Sequence, residues 1–423
     1  MQTSRDIAFD ALRKVHDELA YSNLVVPKLL RRYQPDARDS GFITELVLGT
    51  LRHRGTYDAV IQALSNRDLR RLDPAVLDVL RLGLHQLLTM RVATHAAVTT
   101  SVDLTRSRIG HKPAGFVNAV LRRAAERTRE SWIDELTSQM DRLHADEISY
   151  SHPTWIISEL DRALDHDTEQ LRELMARNNV APPVTLIARP GLCDLDELPG
   201  EPGVISHYAK RMHSGDPGGI KAVRDGRAGV QDEGSQAVVL ALAEARVDGA
   251  GTGESWLDVC AGPGGKAAFL GALAAQRGAT LTANEIQPHR AELVRKTLSQ
   301  LPDVVVTEHD GRDGPWAAGT FDRVLLDAPC TGLGALRRRP ELRWRRTRRD
   351  LEDLVGLQRE LLARAIELTR PGGVIAYATC SPLIAETDEI VDASSGASVD
   401  DVLRWWPHIH DTDAMYLAML RRQ

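Results

Sequence analysis

The chain has 423 residues and a formal net charge of −6. Hydrophobic residues make up 43% of it and charged residues 26%, which is the composition of a globular protein and excludes a disordered chain. No apolar run reaches the roughly 18 residues of a membrane-spanning helix, and the acidic start lacks a signal-peptide core. The four cysteines are far apart and lack zinc-site spacing, which argues against a disulfide scaffold and against a metal site. A cytoplasmic, monomeric protein is expected.

The charge is distributed unevenly along the chain. Residues 1–130 carry 21 Lys and Arg against 14 acids, a net +7, whereas residues 131–423 carry a net −13. A second basic cluster contains a single acid, Glu341, and an interleaved Trp344 whose ring can stack on a base. Its basic members are Arg337, Arg338, Arg339, Arg343, Arg345, Arg346, Arg348 and Arg349. Both regions are predicted to face RNA, although a solvated helix face is an open alternative.

Residues 1–130 are predicted to form an all-helical domain. Ile7, Ala11, Val15 and Leu19 recur at every fourth position, which predicts one apolar helix stripe. Asp73 precedes a proline in the pattern of an N-cap and a first helical residue.

Residues 131–230 are predicted to form a helical and small α+β connecting module. Its helical part ends at Ala181-Pro182-Pro183, and a strand follows at Val184–Ala188. Gly- and Pro-rich turns come after this strand.

Residues 231–423 alternate apolar strands with helices, the pattern of a Rossmann-like α/β domain with a parallel sheet covered on both faces. The predicted strands are Trp256–Cys260, Ala279–Glu285, Val304–Asp310, Phe321–Pro329 and Gly372–Cys380, and a helix is predicted over Leu351–Leu368. In such folds ligands bind at the carboxyl ends of the strands.

A glycine-rich loop joins the first of these strands to its helix. Its residues are Cys260, Ala261, Gly262, Pro263, Gly264, Gly265 and Lys266. A phosphate-binding Walker loop does not fit, because Cys260 replaces its first glycine and Ala267 follows the lysine. A dinucleotide fingerprint does fit loosely, with a ribose-binding Glu285 about 20 residues on. Nicotinamide dinucleotides and S-adenosylmethionine both contain a ribose whose hydroxyls such a carboxylate can bind, so both cofactors stay open. The acids at successive strand ends, Glu285, Asp310 and Asp327, favour a bound ligand over a turn without one.

Two cysteines distinguish between these cofactors. Cys330 and Cys380 follow consecutive strands, so neighbouring strands would bring both thiols to the ligand-binding edge. A lone cysteine is usually a buried small hydrophobe, but two at this edge indicate nucleophilic chemistry. A thiolate that adds to carbon 6 of a pyrimidine makes carbon 5 nucleophilic enough to attack a sulfonium methyl. Asp327 is placed to hydrogen-bond N3, and a base must then remove the carbon-5 proton; hydride transfer needs neither thiol.

The motifs CAGPGGK, DAPCTG and ATCSP, in this order, resemble the Sun (Fmu) family of RNA cytosine-5 methyltransferases, most closely its bacterial ribosomal small-subunit members. The resemblance covers nearly the whole chain. ELVLGTLRHRGTYD and AGFVNAVLRR resemble the NusB-type RNA-binding domain of such enzymes, ALRRRPELRW their RNA-facing stretch, and HIHDTDAMYLAMLRR their closing strand pair.

The resemblance implies a role for each motif residue. Cys380 would be the nucleophile and Cys330 the thiol that assists product release, unlike in DNA cytosine-5 methyltransferases, where the Pro-Cys cysteine attacks. Lys266 would act near the active centre. S-adenosylmethionine would be held by loop 260–266, Glu285, Arg290, Asp310 and Asp327, and RNA by Arg337, Arg338, Arg339, Arg343 and Trp344. The implied substrate is a cytosine of 16S ribosomal RNA.

The chain departs from the family pattern at three places. Glu285 stands where aspartate is commoner, Gly262 stands where alanine is usual, and the stretch between Asp388 and Trp405 is short. Three other functions stay open: a transfer RNA cytosine-5 methyltransferase, a non-catalytic NusB-like RNA-binding protein, and a nicotinamide-dependent dehydrogenase.

Overall fold

The computed structural model describes residues 2–90, 92–213, 215–249, 251 and 253–423. The chain divides into two compact units rather than the three predicted. The helical unit contains the residues up to Ala181 together with a later segment, Leu336–Arg345, and the second unit contains Pro182–Ala335 and Arg346–Gln423.

Helices make up the regular structure of the helical unit over its described residues. They are α1 (Ser4–Asp17), α2 (Ser22–Tyr33), α3 (Ala37–Arg52), α4 (Arg54–Ser65), α5 (Pro74–Leu88), α6 (Thr94–Arg108), α7 (Ala114–Ala124), α8 (Arg129–Thr137), α9 (Arg142–Tyr150), α10 (Thr154–Ala163), α11 (Thr168–Arg177) and, from the later segment, α16 (Leu342–Arg345).

Local sequence signals set the ends of these helices. Asp73 accepts a hydrogen bond from the Ala75 N–H at 2.8 Å and caps α5, as predicted. The apolar stripe of α1 is buried at Ile7, Ala11 and Val15. The prediction that Leu19 continues this stripe is wrong, because α1 ends two residues earlier and Leu19 is 66% exposed.

The boundary predicted at residue 130 does not divide the structure. Helices α8–α11 belong to the helical unit, since Trp132 is buried in its core and Thr56 Oγ1 donates a hydrogen bond to the Ile148 carbonyl at 2.6 Å. The boundary lies after Ala181, where α11 has ended and two prolines precede the first strand.

The second unit contains two sheets. A four-stranded antiparallel sheet has the order β2-β3-β1-β4, and a seven-stranded sheet has the order β10-β11-β9-β8-β5-β6-β7. The strands are β1 (Val184–Ala188), β2 (Glu201–Pro202), β3 (Ala209–Met212), β4 (Ala228–Val230), β5 (Ser255–Asp258), β6 (Thr280–Asn284), β7 (Val305–Thr307), β8 (Phe321–Asp327), β9 (Thr369–Thr379), β10 (Ala397–Trp405) and β11 (Met415–Arg422). The helices are α12 (Lys221–Arg224), α13 (Glu233–Glu244), α14 (Gly265–Gln276), α15 (Pro288–Thr297), α17 (Arg348–Leu368), α18 (Asp388–Asp392) and α19 (Pro407–His410).

The large sheet confirms the Rossmann-like prediction. Strands β5 to β9 run parallel to one another, and β11 pairs antiparallel with β9 and with β10 at the edge of the sheet. Successive residues of β9 enter two different cores: Val374 and Ala376 pack with α13 and α14, whereas Ile375 and Tyr377 pack with α17. Both faces of the sheet are therefore covered, and the loops at the carboxyl ends of its parallel strands carry the predicted site residues.

The last part of the chain differs from the predicted closing strand pair. Only β11 lies in the HIHDTDAMYLAMLRR stretch, and its partner β10 lies earlier, in the stretch that is short for the family. In the part of the chain that the structure describes, no helix is long and apolar enough to cross a membrane.

Candidate active site

The glycine-rich loop turns sharply between β5 and α14. The Ala261 N–H donates to the Asn284 carbonyl at 2.7 Å, and the Gly264 N–H donates to the Ala261 carbonyl at 2.7 Å. Gly264 has a φ of 110° and is the N-cap of α14, a left-handed conformation that favours glycine. The loop thus leads directly into a helix N-terminus, where backbone N–H groups are free to face a ligand.

Asn284, the last residue of β6, organises this edge of the sheet and was not predicted from the sequence. Its Nδ2 donates to the carbonyls of Val259 and His309 at 3.0 and 2.9 Å, and its Oδ1 accepts from Thr307 Oγ1 and from the His309 N–H, each at 3.0 Å. The ends of β5, β6 and β7 are therefore tied together through one buried amide. The available signal was a polar residue at the end of an apolar strand, directly before Glu285.

Glu285 and Gly262 form a tightly packed pair. Glu285 is 3% exposed; its Oε2 accepts from the Gly262 N–H at 3.1 Å and its Oε1 from the Gln287 N–H at 2.9 Å. Arg290 donates to the Gly262 carbonyl at 2.6 Å, and its Nη2 lies 3.5 Å from Glu285 Oε2. A Cβ atom at position 262 would lie within 2.9 Å of Glu285 Cδ and closer still to Oε2. Gly262 and Glu285, both of which depart from the family pattern, are therefore one structural feature. The longer Glu285 carboxylate fills the space that the methyl group of an alanine at position 262 would occupy.

Two further acids of this edge differ in their environment. Asp258 ends β5 and is completely buried; burial, and then the charge of Asp327, raise the pKa of its carboxyl to about 8. Its Oδ1 accepts from the Cys260 N–H at 3.3 Å, and burial raises the pKa of the Cys260 thiol well above its usual value. Asp310, in contrast, pairs with Arg312 at 2.6 Å, and these hydrogen bonds lower the pKa of the Asp310 carboxyl.

Lys266 and Asp327 form an ion pair with an Nζ–Oδ2 distance of 2.8 Å. Burial opposes the charge of the Lys266 ammonium, but Asp327, Cys380 and Asp258 outweigh it, so the pKa of Lys266 is raised. Lys266 is therefore a charged group within electrostatic range of the Cys380 sulfur.

Cys330 and Cys380 lie side by side, with an Sγ–Sγ distance of 3.4 Å. Their strands, β8 and β9, are parallel neighbours with Asp327 opposite Ala378, as the prediction of a shared edge required. The hydrogen bond to Cys380, burial, and the charges nearby raise the pKa of the Cys330 thiol well above its usual value. At this separation one thiol can donate a hydrogen bond to the other sulfur.

Two buried polar residues behind the cysteines were also missed from the sequence. Glu386 and Gln358 are both completely buried and are hydrogen-bonded to each other at 3.0 Å. They contact the residues on either side of Cys330. No local signal indicated this, since both lie more than 25 positions from Cys330 along the chain.

The predicted RNA-binding run needs correction. Arg337 and Arg343 are completely buried, so the prediction that these two side chains contact RNA is wrong. Arg343 donates to Asn179 Oδ1 at 2.8 Å and to the Ser151 and Arg52 carbonyls at 3.0 and 3.2 Å. Burial, and then the charge of Arg52, lower the pKa of Arg343 to about 9. These contacts place the segment Leu336–Arg345 inside the helical unit as a structural element.

The rest of this segment is partly covered as well. Trp344 packs on Gly55, where an added Cβ would lie 2.8 Å from the indole ring. The Arg339 guanidinium lies 5.3 Å from the centre of the Tyr21 ring, and Arg338 is half-buried. RNA contact by Arg338, Arg339 and Trp344 stays a prediction. The exposed arginines of the basic cluster, Arg348 and Arg349, lie after the segment Leu336–Arg345.

The residues at the sheet edge fit S-adenosylmethionine. Gly262 and Gly264 leave room at the loop where side chains would collide with their neighbours, and Glu285 places a carboxylate at the end of β6, the position that binds ribose hydroxyls. Within the described ranges no group of three or more His, Cys, Asp or Glu side chains is arranged to hold a metal ion.

Known proteins resemble this chain over most of its length. The family model described as 16S rRNA methyltransferase RsmB/F matches residues 249–398, and that of the NusB family matches residues 2–126. A relative from Mycobacterium tuberculosis (strain H37Rv), which carries a provisional methyltransferase name, is 46% identical and covers 100% of this chain and 97% of its own. The ribosomal RNA small subunit methyltransferase B of Klebsiella pneumoniae (strain 342) is 30% identical, over 92% of this chain and 88% of that protein. The crystal structure of PH0851 has the same fold, with a TM-score of 0.82 at 20% identity and coverage of 100% and 99%.

Proposed function

The chain belongs to the RsmB/F family of RNA methyltransferases, and from this premise we propose that it methylates carbon 5 of a cytosine in 16S ribosomal RNA through a covalent cysteine adduct. Family membership makes it an S-adenosylmethionine-dependent enzyme that acts on RNA, and the dehydrogenase interpretation of the glycine loop is wrong. The observation that carries the finer proposal is the pair of thiols 3.4 Å apart beside the Lys266–Asp327 ion pair. Hydrogen-bonded thiols at a methyl-donor site suit a reaction that needs a nucleophile and a second proton-transfer group.

S-adenosylmethionine supplies an electrophilic methyl group when it is bound. In our proposal loop 260–266 lies along it, Glu285 binds its ribose hydroxyls, and Asp310 and Asp327 complete its site. Arg290 fixes Glu285 and the Gly262 carbonyl from the outer side of the loop.

Cys380 begins the proposed reaction as a thiolate. The Lys266 charge and the Cys330 thiol both stabilise its negative charge. Its sulfur forms a bond to carbon 6, and the electron pair of the carbon 5–carbon 6 double bond moves into the ring. Asp327 donates a hydrogen bond to N3 with a proton drawn from Lys266, 2.8 Å away, as negative charge develops there. Carbon 5 then bonds to the methyl carbon while the bond between that carbon and the donor sulfur breaks with its electron pair on the sulfur, and the proton drawn by Asp327 returns to Lys266.

Cys330 completes the proposed cycle. In this proposal Cys330 gives its proton to solvent after the Cys380 sulfur has bonded to carbon 6, and it then acts as a thiolate. The Cys330 thiolate takes the carbon-5 proton, and the electrons of that C–H bond form the carbon 5–carbon 6 double bond. The C6–S bond breaks with its electron pair on Cys380, which is again a thiolate beside a protonated Cys330.

The test separates the two thiols. We expect Cys380→Ala to abolish methyl transfer from labelled cofactor to 16S RNA, because no nucleophile remains; normal activity would refute its assignment. We expect Cys330→Ala to accumulate a covalent protein–RNA adduct on denaturing gels, whereas adduct-free turnover would refute the release role. Bisulfite sequencing of ribosomal and transfer RNA from a deletion strain distinguishes the proposed 16S substrate from a transfer RNA.

The NusB-type region supports ribosomal RNA as the partner in this proposal. We also propose that the enzyme is a monomer and acts in the cytoplasm, where ribosomal subunits are assembled. The non-catalytic alternative predicts RNA binding without methyl transfer, so the same labelled-cofactor assay excludes or establishes it.

A further inference from the structure

A buried polar network holds the backbone on both sides of Cys330. On the far side, Glu386 Oε1 accepts a hydrogen bond from the Thr331 N–H at 2.7 Å. On the near side, Gln358 Nε2 donates to the Pro329 carbonyl at 2.8 Å. The same Nε2 donates to Glu386 Oε1 at 3.0 Å, so one connected pair of side chains fixes both neighbours of the cysteine.

Glu386 is unusual because its partners are all neutral donors. The Thr331 hydroxyl donates to Oε2, and together with the two N–H donors this occupies both carboxylate oxygens of a completely buried side chain. A buried carboxylate is costly to desolvate and persists only where several hydrogen bonds compensate it. Its position directly behind the cysteine pair indicates a role beyond packing.

The network also extends to Cys380. Ser381, which follows Cys380, lies 3.3 Å from Thr331 through their hydroxyl oxygens. The Tyr377 hydroxyl donates to the Glu386 carbonyl at 2.8 Å, which ties the residue to β9. The loop after Cys330 and the loop after Cys380 are therefore connected through the same buried groups.

We propose that Glu386 and Gln358 are positioning residues that hold Cys330 within reach of the Cys380 adduct, so that it can act in product release. The inference rests on the proposed two-thiol function. Neither residue touches the reacting atoms; each acts through the backbone next to Cys330. Loss of the Glu386 and Gln358 side chains displaces Cys330, whereas Cys380 directly follows Thr379, which stays paired with Tyr416 in the sheet. Adduct formation therefore continues while its resolution slows.

The experiment compares variants in the full-length enzyme. Glu386→Ala removes all three acceptor contacts, and Gln358→Ala removes the contacts to the Pro329 carbonyl and to Glu386. Glu386→Gln is the conservative variant: its amide oxygen can keep the two N–H donors, and its NH₂ group can donate to the Thr331 hydroxyl, which can reorient. Glu352→Ala, on the exposed side of α17, is the matched control.

The readouts are multiple-turnover methylation of 16S RNA, the fraction of enzyme in a denaturation-resistant RNA adduct, and S-adenosylmethionine affinity. For Glu386→Ala and Gln358→Ala we expect turnover to fall on the order of tenfold to a hundredfold, with adduct accumulation and unchanged cofactor affinity. We expect Glu386→Gln and Glu352→Ala to resemble the unsubstituted enzyme. A purely structural role would instead reduce cofactor affinity and adduct together, and this result would overturn the proposal for both residues.

Cys330→Ala in the same series distinguishes a failure of the positioning role from a failure of the two-thiol function. If it accumulates adduct while neither Glu386→Ala nor Gln358→Ala does, the positioning role is refuted and the two-thiol function stands. If Cys330→Ala itself accumulates no adduct, the proposed release step fails. If Glu386→Ala does not fold, Gln358→Ala decides the question with the same readouts.

Discussion

At the residue scale, the Gly262–Glu285 pair shows how two substitutions can depend on each other. We expect Gly262→Ala to weaken S-adenosylmethionine binding by about tenfold, or about 1.4 kcal/mol, because its methyl group would displace the Glu285 carboxylate. Glu285→Asp in the same chain shortens the side chain by one methylene and should restore most of this loss. Isothermal titration of the two single variants and the double variant measures the coupling; strictly additive losses would contradict it.

A second residue-scale prediction concerns Asp258. Its raised pKa, about 8, means that the folded protein holds this proton from pH 4 to pH 8 while the unfolded chain has lost it. The folded state therefore binds more protons than the unfolded state between pH 4 and pH 8, and the contribution of Asp258 to the free energy of unfolding falls as the pH rises. The Asp258→Asn side chain stays neutral at both pH values. We therefore expect the melting temperature of this variant, taken relative to that of the unsubstituted protein, to be higher at pH 8 than at pH 5.5. Melting curves at the two pH values test this, and an equal difference at both would contradict it.

At the scale of elements, the arginine run divides into a buried and an exposed part with different expected effects. Arg343 donates to four oxygens inside the helical unit, and its loss leaves them without these partners. We expect Arg343→Ala to destabilise the protein by about 2 kcal/mol. Arg349→Ala, at an exposed position on α17, is the matched control and should leave the melting temperature unchanged. Equal stability of both variants would show that the buried contacts contribute nothing.

The same elements show what the sequence could and could not predict. The five parallel strands β5 to β9 and the helix over Leu351–Leu368 were predictable because buried parallel strands and amphipathic helices have local patterns. The shared edge of Cys330 and Cys380 followed from strand order. The burial of Arg343 was not predictable, because its partners lie more than 160 residues away along the chain. Glu386 escaped notice for the same reason, since its partners Thr331 and Gln358 lie 55 and 28 positions away along the chain.

At the scale of the whole molecule, the net charge of −6 is the sum of a basic region, residues 1–130, and an acidic region, residues 131–423. The path of the chain between the two units tells more about how the protein folds than this total does. The chain leaves the helical unit after Ala181 and re-enters it at Leu336–Arg345 before it continues into α17. A cut at residue 182 therefore divides the helical unit itself. Glu341 accepts hydrogen bonds from the Ser22 N–H and hydroxyl at 3.0 and 2.6 Å, and these contacts join the late segment to α2.

This connectivity predicts how the chain behaves when it is divided. We expect a fragment of residues 182–423 alone to be poorly soluble, because its segment 336–345 loses the partners that bury Arg337 and Arg343. Co-expression of residues 1–181 should restore solubility, and the two fragments should copurify. Glu341→Ala combined with Arg343→Ala should weaken the copurification, since it removes the contacts to Ser22 and Asn179. A fully soluble 182–423 fragment that does not bind 1–181 would refute this, because the late segment would then need no helical partner to fold.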